Sequence, residues 1–282
     1  MSETVNNAEE FEEELHDTFY DKKVLIEGDS WVSHPQVSNL AKQFEQDRDH
    51  EALILNLGAP GDDAYSSKKR NSVFRGPQFR TLTSLLTNEQ HGYEFDLVFL
   101  SVAGNDIIGP EILDNEYVEK KVPGKYGGEL LTEEYDNAVE KVVDGYELFI
   151  EMARSTSMNK TTPIVTHSYA FLQPQVKGSH LFGFQFGNGW IATYLEDDDI
   201  NVTDPEEQYD VVKTMFSKYL DAMGRLDDKD DFYIIDTTET LLTNNEPDTS
   251  YFHDEIHPKG RGFRKVYAKI KNQLKSNDVF YS

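Results

Sequence analysis

A serine, a histidine and a carboxylate stand where they could act together. Near the start, Val24-Leu25-Ile26-Glu27-Gly28-Asp29-Ser30-Trp31 reads as a buried strand that breaks at Gly28 and delivers Ser30. Near the end, Asp254-Glu255-Ile256-His257-Pro258 places a carboxylate three residues before a histidine. A serine hydroxyl is a weak nucleophile until a base takes its proton, and the base needs a third group to orient it. Ser30, His257 and Asp254 are the candidates for those roles. Between them lies Gly104-Asn105-Asp106, whose asparagine is a candidate oxyanion donor. A neutral carboxamide suits an oxygen that becomes charged only in the transition state. The chemistry these residues predict is that of a serine hydrolase.

Each candidate has a plainer reading. Ser30 suits a helix N-cap, a role compatible with nucleophilic attack because a helix start brings backbone N–H groups near the reacting oxygen. The segment Gly28-Asp29-Ser30-Trp31-Val32 is not Gly-x-Ser-x-Gly, which disfavours the elbow of α/β-hydrolases. His16, His50 and His91 sit in charged, surface-like contexts, and His253 lacks a carboxylate three residues before it. His167 ends a strand and is expected to line the site as a substrate contact or supporting group. Glu255 and Asp236 compete with Asp254, which could also cap the last helix. Asn105 could cap a helix starting at Ile107.

The elements that must position these groups are legible as apolar runs. Val24–Ile26, Ala52–Leu57, Asp96–Val102, Pro163–Ser168 and Phe232–Asp236 are short and nearly continuous, as strands covered on both faces are. Helical spacing separates them: Val37, Leu40, Ala41 and Phe44; Val139 to Phe149; Val211 to Met223; Phe263 to Ile270. Alternating strands and helices predict a parallel sheet with helices on both faces and ligands beyond the C-terminal strand ends. Gly28–Ser30, Gly58–Gly61 and Ala103–Asp106 all follow strands and converge there. Residues 1–20, with Phe11, Leu15 and Phe19, read as an acidic arm with a short helix on the body. Residues 21–282 form one domain, with insertions near 62–92 and 169–206. The second insertion carries Phe182, Phe184, Phe186 and Trp190, which read equally as a lid over an acyl chain or as packing.

Taken together these blocks resemble the SGNH hydrolases, the GDSL esterase/lipase family. Gly28-Asp29-Ser30 matches the first block, with Trp31 where leucine is commoner. Asn56 and Gly61 match the second, Gly104-Asn105-Asp106 the third, and Asp254 with His257 the last. The resemblance implies a three-layer α/β/α fold with a five-stranded parallel sheet of order 2-1-3-4-5. It implies an oxyanion hole of Ser30, Gly61 and Asn105, with Gly58 as the rival of Gly61. Trp31, His167, Phe184 and Phe186 are the expected substrate contacts. The implied activity is hydrolysis of a carboxylic ester through an acyl-serine. The alternatives are sugar deacetylation, thioester cleavage or acyl transfer on the same groups, and a non-catalytic binding protein on a hydrolase scaffold.

Composition narrows the partners. With 52 acidic and 27 basic residues, the formal charge is -25, which repels nucleic acid and anionic membranes. The expected partner is a small-molecule ester, and oligomeric state stays open. Cysteine is absent, which excludes disulfides and thiolate metal sites. Asp62–Asp63 and Glu196–Asp199 read as solvated loops and not as metal ligands. No cofactor or metal is expected. The N-terminus shows no basic and apolar leader pattern, so the cytoplasm is the default compartment. No apolar run approaches the ~20 residues that span a bilayer.

Overall fold

The apolar runs become strands because a parallel sheet buried on both faces has only apolar positions to fill. The computed structural model describes every residue except 36–37, 66–71, 109–115, 176, 182–183, 190, 228 and 282; for 177–181 and 184–188 it describes the backbone. In chain order the elements begin with β1 (Glu3–Val5), α1 (Ala8–Asp17), β2 (Lys22–Gly28), α2 (Ser30–Ser33) and α3 (Leu40–Glu45). Then come β3 (Ala52–Asn56), α4 (Gly76–Thr87), β4 (Leu97–Ser101), α5 (Gly104–Ile107) and α6 (Glu133–Ala153). Next are β5 (Ile164–His167), β6 (Lys177–Leu181), β7 (Phe184–Asn188), α7 (Ala192–Leu195) and α8 (Pro205–Met223). The chain closes with β8 (Phe232–Ile235), β9 (Leu242–Thr243), β10 (Glu246–Pro247) and α9 (Gly260–Ser276).

The main sheet runs β1-β3-β2-β4-β5-β8, with every neighbouring pair parallel. The expected five strands are present in the expected order, and β1 adds a sixth outside β3. Its three residues Glu3-Thr4-Val5 bury only Val5, too little apolar patterning to mark a strand in the sequence. A short polar strand also suits a sheet edge, where it discourages further pairing.

Helices cover both faces. On one, Phe44 of α3 meets Phe99 of β4 at 5.0 Å and Tyr267 of α9 at 4.9 Å between ring centres. On the other, Phe74 meets Tyr146 of α6 at 4.8 Å, and Tyr146 meets Phe232 of β8 at 5.7 Å. The segment 62–92 is scaffold as well as excursion: α4 within it buries Leu82, Leu85 and Leu86 and packs on α6. Val37 lies outside the described residues; the rest of its face forms α3.

Residues 1–20 are more than an arm. β1 is part of the sheet, and Phe11 of α1 is fully buried against Tyr93 at 5.1 Å and Phe95 at 5.7 Å. Phe19 departs from expectation: α1 ends at Asp17, the cap residue Thr18 is extended, and Phe19 points to solvent. Phe11→Ala should therefore cost about 3–5 kcal/mol in urea denaturation, as deletion of a buried ring does. A loss under about 1 kcal/mol would show that α1 is only laid on the body.

Candidate active site

The strand-to-helix turn after β2 sets the position of Ser30. Gly28 has φ +153°, and a Cβ there would stand 2.2 Å from the carbonyl oxygen of Ser101, so β2 and β4 meet as only glycine allows. The Asp29 amide then donates to Ser101 O at 2.9 Å. Asp29, not Ser30, is the helix cap: its Oδ1 accepts from the Trp31 amide at 2.9 Å. Ser30 is the first residue of α2, so its own amide has no carbonyl of that helix to bind.

Ser30 Oγ lies 2.7 Å from His257 Nε2, across 227 residues of sequence. His257 Nδ1 lies 2.8 Å from Asp254 Oδ2 and 3.0 Å from Oδ1. The three-residue spacing works because Asp254 Oδ1 also accepts the Ile256 amide at 3.0 Å and the His257 amide at 2.8 Å, folding the segment into a turn. With a carboxylate accepting at Nδ1, the proton sits there and Nε2 presents its lone pair to Ser30. Burial alone would raise the Asp254 carboxyl, but the hydrogen bonds and charge of His257 outweigh it and hold the group below its ordinary range. The rival acids are elsewhere. Asp236 accepts from Thr238, and Glu255 turns away from His257.

Asn105 is inside α5 and is not a cap; that position belongs to Ala103, held at φ 102°, a strained value for a residue with a Cβ. The Asn105 Nδ2 donates to Asp62 O at 2.7 Å. Gly61, the residue before Asp62, has φ +87° with open space where a Cβ would stand. Gly58, its rival, is packed against Gly28 and Val32. Asn56 closes the same corner, donating to Val32 O at 3.0 Å and accepting from the Gly58 amide at 3.2 Å.

A narrow apolar cleft of about 400 Å³, counting its open mouth, runs from Ser30 and Asn105 past Trp31, Ile108, Leu172, Phe216 and Ile256. Trp31 is a wall of the cleft. His167 is not. It is wholly buried behind Trp31, with ring centres 5.4 Å apart, and its Nε2 meets Ser101 Oγ at 2.9 Å. Burial lowers it to about 3, so it is a neutral buried ring: of the two roles the sequence left open, it takes that of a supporting group behind Trp31 and not of a substrate contact. Phe184 and Phe186 stand on β7 of the β6–β7 hairpin; their side chains, and all of Phe182 and Trp190, lie outside the described residues.

Several groups at the site carry no motif. Tyr169, at φ 60° after β5, donates its hydroxyl to Asp29 Oδ2 at 2.7 Å and accepts from the Gly104 amide at 3.0 Å. Burial raises Asp29 to about 6, against the pull of the Trp31 and Tyr169 bonds and the His257 charge. Glu255 accepts the amides of Gln175 at 2.9 Å, Ile191 at 2.7 Å and Ala192 at 2.8 Å, fastening both feet of the hairpin to the His257 segment. The His34 ring lies 4.6 Å from that of His257 between centres, tilted by 59°, and is lowered to about 4 by burial and the His257 charge. Among the described residues, His34, Asp254 and His257 bring one ligand atom each within 4.8 Å of one another, the arrangement that a cation would need. Asp62 and Asp63 are buried, against the expectation of a solvated loop, while Glu196–Asp199 are exposed as expected. Asp62 is held there by the Ala59 amide and by Gln78 of α4.

Solved structures share this architecture. The chain is similar to an extracellular lipase from Streptomyces rimosus, with 10% identity over 89% of this chain and 99% of the lipase, at a TM-score of 0.52. It is also similar to a member of the lipolytic protein G-D-S-L family from Veillonella parvula, with 13% identity, 90% and 98% coverage and a TM-score of 0.48. A catalytic mutant of an acetylxylan esterase from Geobacillus stearothermophilus gives 12% identity, 91% and 95% coverage and 0.49. No protein-family model and no curated protein matches the sequence. At such identity the likeness to the Streptomyces rimosus lipase speaks for the fold alone: three layers around a parallel sheet. Among the described residues no helix is long and apolar enough to cross a membrane.

Glu27 lies directly under the Ser30 turn and yields a test of the buried network. Its Oε1 accepts the Gly28 amide at 2.8 Å and Gln78 Nε2 at 3.0 Å, while Oε2 is buried without a hydrogen-bond partner among the described residues. Burial raises this carboxyl from 4.5 to about 8; the Gln78 bond lowers it and the Asp62 charge raises it further. The folded chain therefore holds a proton that the unfolded chain releases above pH 4.5 or so, and stability from this group falls as pH rises through that window. Glu27→Gln cannot ionise. Between pH 4.5 and 8 its unfolding free energy should rise relative to the parent by on the order of 4 kcal/mol, read by urea denaturation. A difference that stays constant with pH would mean that Glu27 is ionised when folded.

Proposed function

We propose that this chain is a serine esterase that cleaves a carboxylic ester of a small molecule through an acyl-serine intermediate. One observation carries the reading: the unbroken relay from Ser30 Oγ to His257 Nε2 at 2.7 Å and from His257 Nδ1 to Asp254 Oδ2 at 2.8 Å. Such a relay turns a weak nucleophile into a strong one only at the moment a carbonyl is in reach. The Streptomyces rimosus lipase, on the same fold, supports the ester reading by analogy.

Ser30 Oγ attacks the ester carbonyl while His257 Nε2 takes its proton. Asp254 holds the imidazole and stabilises the imidazolium that forms. The tetrahedral oxygen gathers negative charge and is met by the amides of Ser30 and Gly61 and by the N–H of Asn105 Nδ2 that Asp62 does not use. His257 returns its proton to the leaving alcohol, the carbonyl re-forms, and the acyl group stays on Ser30. Water, deprotonated by His257, then attacks the acyl carbonyl and restores the serine. The cleft beside Ser30 receives an apolar part of the substrate, with Trp31 and Phe216 as walls. Every step uses groups of the chain itself.

Ser30→Ala and His257→Ala should each remove nearly all ester hydrolysis, and the double variant should be no worse than either, because the groups act as a unit. A fluorophosphonate should label the parent and not Ser30→Ala. A folded Ser30→Ala protein that keeps most activity would reject the mechanism, and an unlabelled parent would favour a binding protein. Asn105→Ala should lower kcat about 10²–10³-fold with little change in KM, since its donor acts on the transition state. Kinetics on one soluble ester separates that outcome from a change confined to KM, which would make Asn105 a binding group only.

A further inference from the structure

The Asn105 carboxamide works as an oxyanion donor only if its nitrogen, and not its oxygen, faces the reaction. Asp62 O enforces this. It takes one Nδ2–H at 2.7 Å, which fixes the flip of the amide and leaves the second N–H without a partner among the described residues. The orientation of Asn105 therefore depends on where the Asp62 carbonyl is held.

Asp62 closes a tight turn, its amide donating to Ala59 O at 3.1 Å and its Oδ2 accepting the Ala59 amide at 3.2 Å. The same turn carries Gly61. From outside the turn, Gln78 of α4 donates Nε2 to Asp62 Oδ2 at 3.0 Å and, through the same nitrogen, to Glu27 Oε1 at 3.0 Å. Glu27 in turn accepts the Gly28 amide, one residue before Asp29 and two before Ser30. One side-chain nitrogen thus joins the nucleophile strand to the loop that bears Gly61 and orients Asn105. Gln78 is the third residue of α4, where the first turn of the helix fixes its backbone, so its reach is set by the scaffold and not by the loop.

We infer that Gln78 is a positioning residue of the oxyanion hole, acting through Asp62 on the second N–H of Asn105. The inference rests on the reading of Asn105 as an oxyanion donor. Gln78 touches no substrate. Its loss should let the Asp62 turn drift and the Asn105 amide rotate, without altering the Ser30–His257–Asp254 relay.

The test is a double-mutant cycle with Gln78→Met and Asn105→Ala on one soluble ester, alongside melting temperatures. Gln78→Met keeps length and removes both donors. It should lower kcat about 10-fold at nearly constant KM. Gln78→Leu likewise removes both donors and should fall in the same direction; it serves where Gln78→Met does not fold. In the Asn105→Ala background either Gln78 change should lower kcat by less than about 2-fold, because a group acting through Asn105 has nothing left to position. Full kcat in both folded Gln78 variants would overturn the inference. So would a Gln78 loss that multiplies undiminished with that of Asn105→Ala, the sign of general destabilisation. If Asn105→Ala itself keeps kcat, the oxyanion reading fails and takes this inference with it.

Discussion

The buried carboxyl of Asp29 laces three strand ends together. It caps the helix after β2, takes the hydroxyl of Tyr169 after β5, and through that hydroxyl reaches the Gly104 amide after β4. A carboxyl so far from water needs such partners, and burying it without them would cost several kcal/mol. Ser30, Asn105 and the apolar cleft all hang on these three ends. The contact also explains two strained backbones: Ala103 and Tyr169 adopt positive φ where the chain must leave a strand and turn at once toward the same point.

A second buried group works from the other side. Glu27, raised by burial, joins the strand before Ser30 to Gln78 of α4 and so to the Asp62 turn. Asp29 and Glu27 are two residues apart, a spacing that would put both side chains on one face of an unbroken strand; the break at Gly28 between them lets each reach its own partners. Ser30 thus sits at the junction of two polar networks. One sets the serine and the cleft wall, the other the loop that carries Gly61 and Asp62.

The His257 segment is fastened in a comparable way. Asp254 folds it through two backbone amides and then holds the ring, while Glu255, the next residue, faces the opposite way and binds three amides at the feet of the hairpin. Adjacent carboxylates therefore divide two tasks. Either would be a poor substitute for the other, since each is saturated by donors that its own backbone position brings near. The hairpin is thereby tied to the base of the relay, whatever its rings touch.

The sequence by itself determined the sheet. Five continuous apolar runs, alternating with helical spacing, leave few topologies other than a parallel sheet with helices on both faces; the order of its strands was implied by the resemblance of the motif blocks. The residues of the relay were legible too, because glycine at a strand break and a carboxylate three residues before a histidine are local patterns. What had no local pattern was decided by tertiary structure. β1 is too short and polar to show a period, so only its pairing with β3 makes it a strand. Asp62 and Asp63 look like a solvated pair until their burial among polar partners is seen. His167 and Tyr169, two residues apart at one strand end, could not be ranked in sequence. The fold buries the histidine as a neutral ring and gives the tyrosine the hydrogen bonds to Asp29 and Gly104. Gln78 bridges partners 51 and 16 residues away. A side chain that acts by joining distant segments has no neighbours in sequence to betray it; its role exists only once those segments meet.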